Sequence, residues 1–521
     1  MNRNFPERLL ELIEESQVLI IVGEPGSGKS VIAKRAIERA VKSESLPAFA
    51  FRVEEFDAQH IDQALVAMGV PDTVPTLSAK FSLLPAKLLF IDSVERLFEM
   101  VSTAAFTDLM SLLQADRTWR LILCCRVQAV SPLVNYFISP LGLSVTTFDV
   151  PKLTNEELEE VATRIPRIKP LLLNPRIYEI LRTPFYLRIV SSSALDLTSF
   201  ESTRATQIEF RRFLWREAVA RPREKGAGLP SRRMEAFVQL SVRRARNMLP
   251  YVTADDIDAE AMERLVDDGL IVSDGHRLYT PADDLMEDWA LFEHVERCFS
   301  DSTEGWAAFL SSIGAEPAIK RTFRLWLSEA AHDSSNRRLR DFLLDAARDS
   351  TIAQHWRDDV VVAGLLSEAA EDFIGMLGEE LLLQNKQLLK RCIHLLRTAC
   401  KGPNEKFIAL IGKKQQGYLG QFLSLSFSKP IGGGWAAIIR FIGEHETAFS
   451  FEESQLIAGL LSDWSQNLDL STDLPAEATY CAQLALKYFM LLSEKDVYAE
   501  RLEKQYLTIL FRAVPESFDS R

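Results

Sequence analysis

Between residues 17 and 150, short and almost wholly apolar runs alternate with stretches whose apolar residues recur every three or four positions. The runs 17–22, 47–53, 87–91, 119–125 and 144–148 are too short for helices and predict strands buried on both faces. The intervening stretches 30–41, 61–68 and 104–113 predict amphipathic helices. Regular strand–helix alternation of this kind predicts a parallel sheet with helices on both sides.

From residue 151 the strand signal stops. Thr154 followed by Asn155, Glu156 and Glu157 reads as an N-cap with acidic residues in the first helical turn, and short helices are expected to about 193. A compact α/β block is expected over about 205–298. Within it, 262–280 reads as a helix, a turn and two short strands joined at Asp274-Gly275, a strong hairpin signal. Helix followed by hairpin is how a winged helix ends. Beyond residue 300 the pattern is helical, at 359–376, 379–399, 435–444, 454–461, 476–492 and 499–513, with breaks at 401–403 and 430–434. No strict period recurs, which predicts an irregular helical array.

Composition narrows the class. The 521 residues are enough for roughly three to five domains. A net charge of −13 argues against a general coat for nucleic acid or a membrane surface. The N-terminal segment is charged throughout, and no apolar run approaches the ~18 residues of a membrane span. Six cysteines without a C-x-x-C pair suggest neither a disulfide framework nor a zinc module and suit a reducing cytoplasm. His394, near Cys392 and Cys400, has no metal-site spacing, and no protease, nuclease or hydrolase constellation is seen.

The chemistry concentrates in "GEPGSGKS": Gly23, Glu24, Pro25, Gly26, Ser27, Gly28, Lys29 and Ser30. It matches the phosphate-binding loop G-x-x-x-x-G-K-[ST], after a predicted strand and before a predicted helix. Its glycines allow a tight turn and close backbone approach, and its amides with the helix start can cradle phosphate. Lys29 would reach the β- and γ-phosphates of ATP, and Ser30 would ligate Mg²⁺. About 60 residues on, "KLLFIDSVERLFE" is an apolar strand ending in Asp92, a second candidate ligand for Mg²⁺. The lesser alternative is that Asp92 or Ser93 caps a helix over 94–100, a role that can coexist with the first. Many motor-type NTPases carry Glu directly after the Asp, to polarise water. Here that residue is Ser93, and the nearest carboxylate, Glu95, is either a weak substitute or an exposed first-turn residue. ATP or ADP binding is therefore expected, and rapid turnover is not. The strand "WRLILCCR" ends in Arg126, with Cys124 and Cys125 expected to be buried as small apolar residues.

Together these pieces resemble the STAND class of signalling NTPases, close to its NACHT branch. The resemblance runs over roughly 17–297. It rests on "GEPGSGKS", "LLFIDSVE", the Arg-tipped strand, "VPKLTNEELEEV" opening a helical lid, "LLRTPFYLRIV" and "TPADDLMEDWALFEHV". It implies an α/β P-loop NTPase domain (1–150), a helical lid (151–200), a winged-helix domain (201–298) and an all-α region (299–521). It implies that the Arg126 strand lies between the loop strand and the Asp92 strand, placing Arg126 beside the γ-phosphate, and that Pro184 contacts the base. Asp288 and Trp289 fit the pattern of the last motif. Members often carry His before the Asp of that motif, touching the β-phosphate of ADP. Here Asp283 precedes Asp284, and a carboxylate would repel phosphate unless a cation intervened.

Members of the class act as switches that oligomerise on activation, many in prokaryotic defence. That implies self-association and a protein or nucleic-acid trigger; since the loop begins by Gly23, any effector is expected in the C-terminal array, on a partner, or outside this chain. Two other readings remain at this point. One is a cycling AAA+-like ATPase, which Ser93 disfavours. The other is a DNA-binding regulator: residues 204–246 hold twelve Arg or Lys against four Glu. A solvated face, an arginine finger or pairing with the acidic remainder would account for those arginines as well, and DNA contact is not favoured.

Overall fold

The computed structural model describes residues 5–514 except 45, 83, 101, 192–194, 198–199, 201–204, 224–227, 276, 303–304, 331–335, 350, 368, 404–427, 467, 469–473 and 493–498. The chain divides into two compact units, residues 1–294 with 316–319, and residues 295–315 with 320–521.

In the first unit, helix α1 (Phe5–Glu15) precedes β1 (Val18–Val22), α2 (Lys29–Glu44), β2 (Ala48–Arg52), α3 (Ile61–Ala67) and α4 (Val74–Phe81). Then come β3 (Lys87–Asp92), α5 (Ala104–Ala115), β4 (Trp119–Cys125), α6 (Val127–Leu133) and β5 (Val145–Asp149). The strands form one parallel sheet in the order β2-β3-β4-β1-β5. This is the α/β P-loop NTPase fold, and β4 lies between β1 and β3 as expected. Apolar residues on both faces follow from the pleat. Val18, Ile20, Val22, Leu121, Leu123 and Cys125 enter one core, whereas Leu19, Ile21, Ile122 and Cys124 enter the other. The two adjacent cysteines thus serve opposite cores. Lys87, read as the start of a strand, is buried and bonded to Asp116 (2.7 Å) and Thr118 (2.6 Å).

The lid contains α7 (Asn155–Arg164), a 3₁₀ segment Pro166–Leu173, α8 (Pro175–Leu181) and α9 (Pro184–Ser191). Thr154 and Glu157 form a reciprocal capping box on α7. The winged helix comprises α10 (Gln207–Trp215), α11 (Leu229–Asn247), β6 (Val252–Thr253), α12 (Ala259–Asp267), β7 (Ile271–Ser273), β8 (Leu278–Pro281) and α13 (Asp284–Asp301). Its wing has an unforeseen third strand, in the order β6-β8-β7. Lid and winged helix share one hydrophobic core, running from Leu158 and Phe185 to Phe237, Leu265 and Trp289.

The second unit is helical, including Gln354–Leu366, Gln387–Ala399, Gly434–Glu444, Ser454–Ser465, Glu477–Leu491 and Ala499–Ala513. One expectation is corrected: the region is not all-α. The breaks at 401–403 and 430 lie in an antiparallel pair, Lys401–Pro403 with Ser428–Pro430. Cys392, Cys400 and Cys481 are buried. No helix among the described residues is long and apolar enough to cross a membrane.

Candidate nucleotide site

The loop Gly23–Ser30 leads from β1, an inner strand flanked by β4 and β5, into α2 at the carboxyl edge of the parallel sheet, where open α/β sheets place their ligand crevices. Gly26 (φ +74°) and Gly28 (φ +91°) hold left-handed conformations that L side chains rarely adopt. A Cβ on Gly26 would also lie 2.6 Å from the Cβ of Phe185. The lid grips the loop at the same place: Phe185 N–H donates to the Gly26 carbonyl (3.1 Å). Lys29 Nζ folds back to donate to the carbonyls of Gly23 and Glu24, both at 3.0 Å. Ser27 Oγ is buried with no hydrogen-bond partner. An orphaned hydroxyl, two left-handed glycines and an ammonium bonded only to loop carbonyls fit a cradle for an anionic group.

Ser30 Oγ donates to Asp92 Oδ1 at 2.9 Å, so the two candidate Mg²⁺ ligands stand together although 62 positions apart. Both supply oxygen, the donor a small hard cation takes. Burial lifts the Asp92 carboxyl to about 6, against the lowering effect of the Ser30 bond. The helix expected over 94–100 is a 3₁₀ turn, Val94–Glu99. Its N-cap residue, Ser93, sits at φ +56° and makes no side-chain cap. The capping alternative is thus unrealised: Asp92 Oδ1 accepts from Ser93 N–H (2.9 Å) and Ser30.

Glu95 is not an exposed first-turn residue. Its Oε1 accepts from Arg126 Nε at 3.0 Å, and its Oε2 is buried without a partner. Arg126, itself buried, also reaches Asp288 Oδ2 on α13 at 3.3 Å. Trp289 packs edge-on against Phe185 of the lid. Pro184 lines a cavity of about 360 Å³ beside the loop, with Phe5, Pro6, Val31, Leu153 and Phe185. Gly26, Ser27, Gly28, Arg35, Arg188 and Asp283 supply its polar wall. The apolar side suits a base, and the polar side meets the loop.

Sequence reasoning missed the seam behind these groups. Arg96 donates to Glu54 (2.9 Å), Asp284 (2.7 Å) and Glu287 (2.8 Å). Arg244 donates to both oxygens of Glu287 (2.6 and 2.8 Å) and to Glu54 (3.0 Å). Ser93 Oγ donates to Asp284 Oδ2 at 3.2 Å. Burial by itself would raise the Asp284 carboxyl, but Arg96, Arg244, Arg126 and Arg52 hold it well below the usual range. Arg233 and Arg244 lie on one buried stripe of α11 with Phe237, Leu240 and Ser241, which only the packing reveals.

Pairing with carboxylates, one of the readings open for the arginines of 204–246, is realised at several of them. Arg232 is paired with Asp258 and Glu260, Arg233 with Asp268, and Arg243 with Asp256, while Arg244 belongs to the seam. Arg204 and Lys225 lie outside the described residues.

No protein-family model matches the chain, and no curated protein does. Among solved structures it is similar to the Aeropyrum pernix ORC2 protein in ADPNP–ADP complexes, at 14% identity and a TM-score of 0.30, over 58% of this chain and 95% of that one. It is similar to AMPPCP-bound DnaA from Aquifex aeolicus, at 12% identity and a TM-score of 0.29, over 65% and 92%. It is also similar to Drosophila ORC bound to poly(dA/dT) DNA and Cdc6, at 13% identity and a TM-score of 0.26, over 98% and 87%. Likeness at these scores is loose, and the functional reading rests on the geometry of the site.

Proposed function

We propose that the chain is a nucleotide-controlled switch of the STAND type, binding ATP or ADP with Mg²⁺ and turning ATP over slowly. Bound nucleotide supplies phosphate charge, which the loop amides and Lys29 hold. Ser30 and Asp92 are the oxygen ligands for Mg²⁺, Pro184 and Phe185 wall the base, and Arg126 is the group assigned to the γ-phosphate.

The observation that carries this reading is the tie from Arg126 to Glu95 and Asp288. The cation this reading assigns to the γ-phosphate is bonded to α13 through Asp288. Phosphate and Asp288 would therefore compete for it, and the nucleotide can bias docking by its different affinity for docked and undocked forms. Glu95, held by Arg126, is poorly disposed to activate water, which supports slow turnover. Self-association, a protein or nucleic-acid trigger and a role in defence extend the same proposal from the resemblance to the STAND class.

The experiment is to purify the protein, release its nucleotide by heat, identify it by chromatography and measure steady-state ATPase activity alongside. Trapped nucleotide with negligible turnover is expected, and Lys29→Ala should abolish binding. Wild-type affinity in that variant would sink the site assignment. An empty wild-type site with turnover of about one per second or faster, ordinary for an enzyme, would replace the switch with a motor.

A further inference from the structure

The tip of the phosphate loop is covered from two sides. Phe185 closes one side of Gly26. Leu285 of α13 closes the other, with its Cδ2 3.4 Å from where a Gly26 Cβ would stand. Asp283, two residues before Leu285, caps α13: its Oδ1 accepts from Leu285 N–H at 2.9 Å. The same Asp283 lines the cavity formed with Gly26, Ser27 and Gly28. Docking thus puts a carboxylate on the wall of the cavity that the loop tip also lines. Arg188, one turn along α9 from Phe185, lines that cavity too and lies within electrostatic reach of Asp283. In the docked form its charge is partly spent on Asp283.

We propose that Asp283 makes winged-helix docking and occupation of the loop by a nucleoside di- or triphosphate mutually antagonistic. The docked carboxylate repels phosphate and competes with it for Arg188, so the form that holds nucleotide best is the undocked one. This rests on the nucleotide-switch reading above and fixes its polarity: nucleotide loosens the winged helix instead of locking it. Linkage requires reciprocity: docking weakens nucleotide binding by the same factor by which nucleotide weakens docking.

The competing explanation is that Asp283 is only a helix cap. Asn and Ser cap about as well as Asp, so Asp283→Asn and Asp283→Ser keep the cap and remove the charge. The test is calorimetric titration of ADP into the full-length wild type, both variants and Lys29→Ala at pH 7.5, each first stripped of the nucleotide it carries from purification, with limited proteolysis of each protein with and without ADP. Removing one like charge from a partly desolvated site should tighten ADP binding by roughly tenfold or more. ADP should also speed cleavage within the winged helix of the wild type more than in the variants. Unchanged or weaker ADP binding in both folded variants, with Lys29→Ala still silent, would overturn the antagonism and leave the site standing. If neither the wild type nor the variants bind ADP, or Lys29→Ala binds like wild type, the site reading falls and this inference with it.

Discussion

Replacing Arg96 by Met takes the central cation out of the seam and leaves most of its volume filled. In the protein, Arg96 satisfies Glu54, Asp284 and Glu287 with three bonds of 2.7–2.9 Å, and all of these residues except the half-buried Asp284 have side chains at most one-tenth exposed. Arg244 would then face the carboxylates alone. Breaking a buried ion pair by removing one partner costs about 3–5 kcal/mol, because the remaining charge is left uncompensated. Each kcal/mol moves the midpoint of a unit this size by about 2–4 °C, so the transition of the first unit should fall by roughly 6–20 °C. Undocking of the winged helix offers a cheaper escape, and in that case protease sensitivity around 281–284 should rise more than the midpoint falls. Differential scanning calorimetry with limited proteolysis measures both. Adding Glu287→Gln should recover part of the loss, with a coupling of about 1–3 kcal/mol between the two sites. A midpoint shift below about 2 °C, less than one kcal/mol's worth, with an unchanged proteolytic pattern would refute the seam as the clamp between sheet and winged helix.

Further outcomes follow from single positions. Gly26→Ala should cost about 1–3 kcal/mol, from strain at φ +74° plus the clash with Phe185, and should weaken ADP binding; Gly28→Ala, with no atom within 4 Å of its Cβ, should cost only the backbone strain, about 1 kcal/mol. Comparing both by calorimetry checks the lid's grip on Gly26. Burial pushes Asp283 up to about 6, aided by Asp284 and Asp288 and opposed by Leu285 N–H and Arg188. The folded protein therefore holds this proton more tightly than the unfolded chain. The stabilising contribution is full below the unfolded value, about 4, and is lost as pH rises to about 6. The melting temperature of Asp283→Asn minus that of wild type should accordingly climb between pH 4 and 6 and then level off; a flat difference would mean the carboxyl is not desolvated. In the second unit, a Cβ on Gly364 would lie 2.6 Å from ring atoms of Phe373. Gly364→Ala should cost about 1–3 kcal/mol by overpacking, partly recovered by Phe373→Leu and read from urea unfolding.

Local chemistry made much of this protein legible from its sequence. Strands buried on both faces must be apolar, as the inner strands β1, β3 and β4 largely are; the edge strands β2 and β5 are only partly buried, against the expectation, yet all five were readable to within one or two residues at each end. The phosphate loop is a contiguous motif whose glycines are dictated by backbone geometry, and φ is positive at two of them, Gly26 and Gly28. The wing was announced by Asp274-Gly275, although β6 is only two residues long and carries no periodicity to detect. The pairing of Lys401–Pro403 with Ser428–Pro430 had no signal either, because three residues bounded by Gly and Pro look like a break. What the sequence could not give was partnership across distance. Arg126 meets Asp288 over 162 positions, Arg96 meets Glu287 over 191 and Arg244 meets Glu54 over 190. A charged residue carries no mark of the charge it will face, and an arginine on a helix reads as surface until packing buries it. The motif marked the loop that is the candidate seat for phosphate. Only the tertiary structure decided that Asp283 would line the cavity beside the loop, that Asp284 would meet Ser93 and Arg96, and that Asp288 would meet Arg126, because their position depends on the docking of separate segments and not on any local propensity.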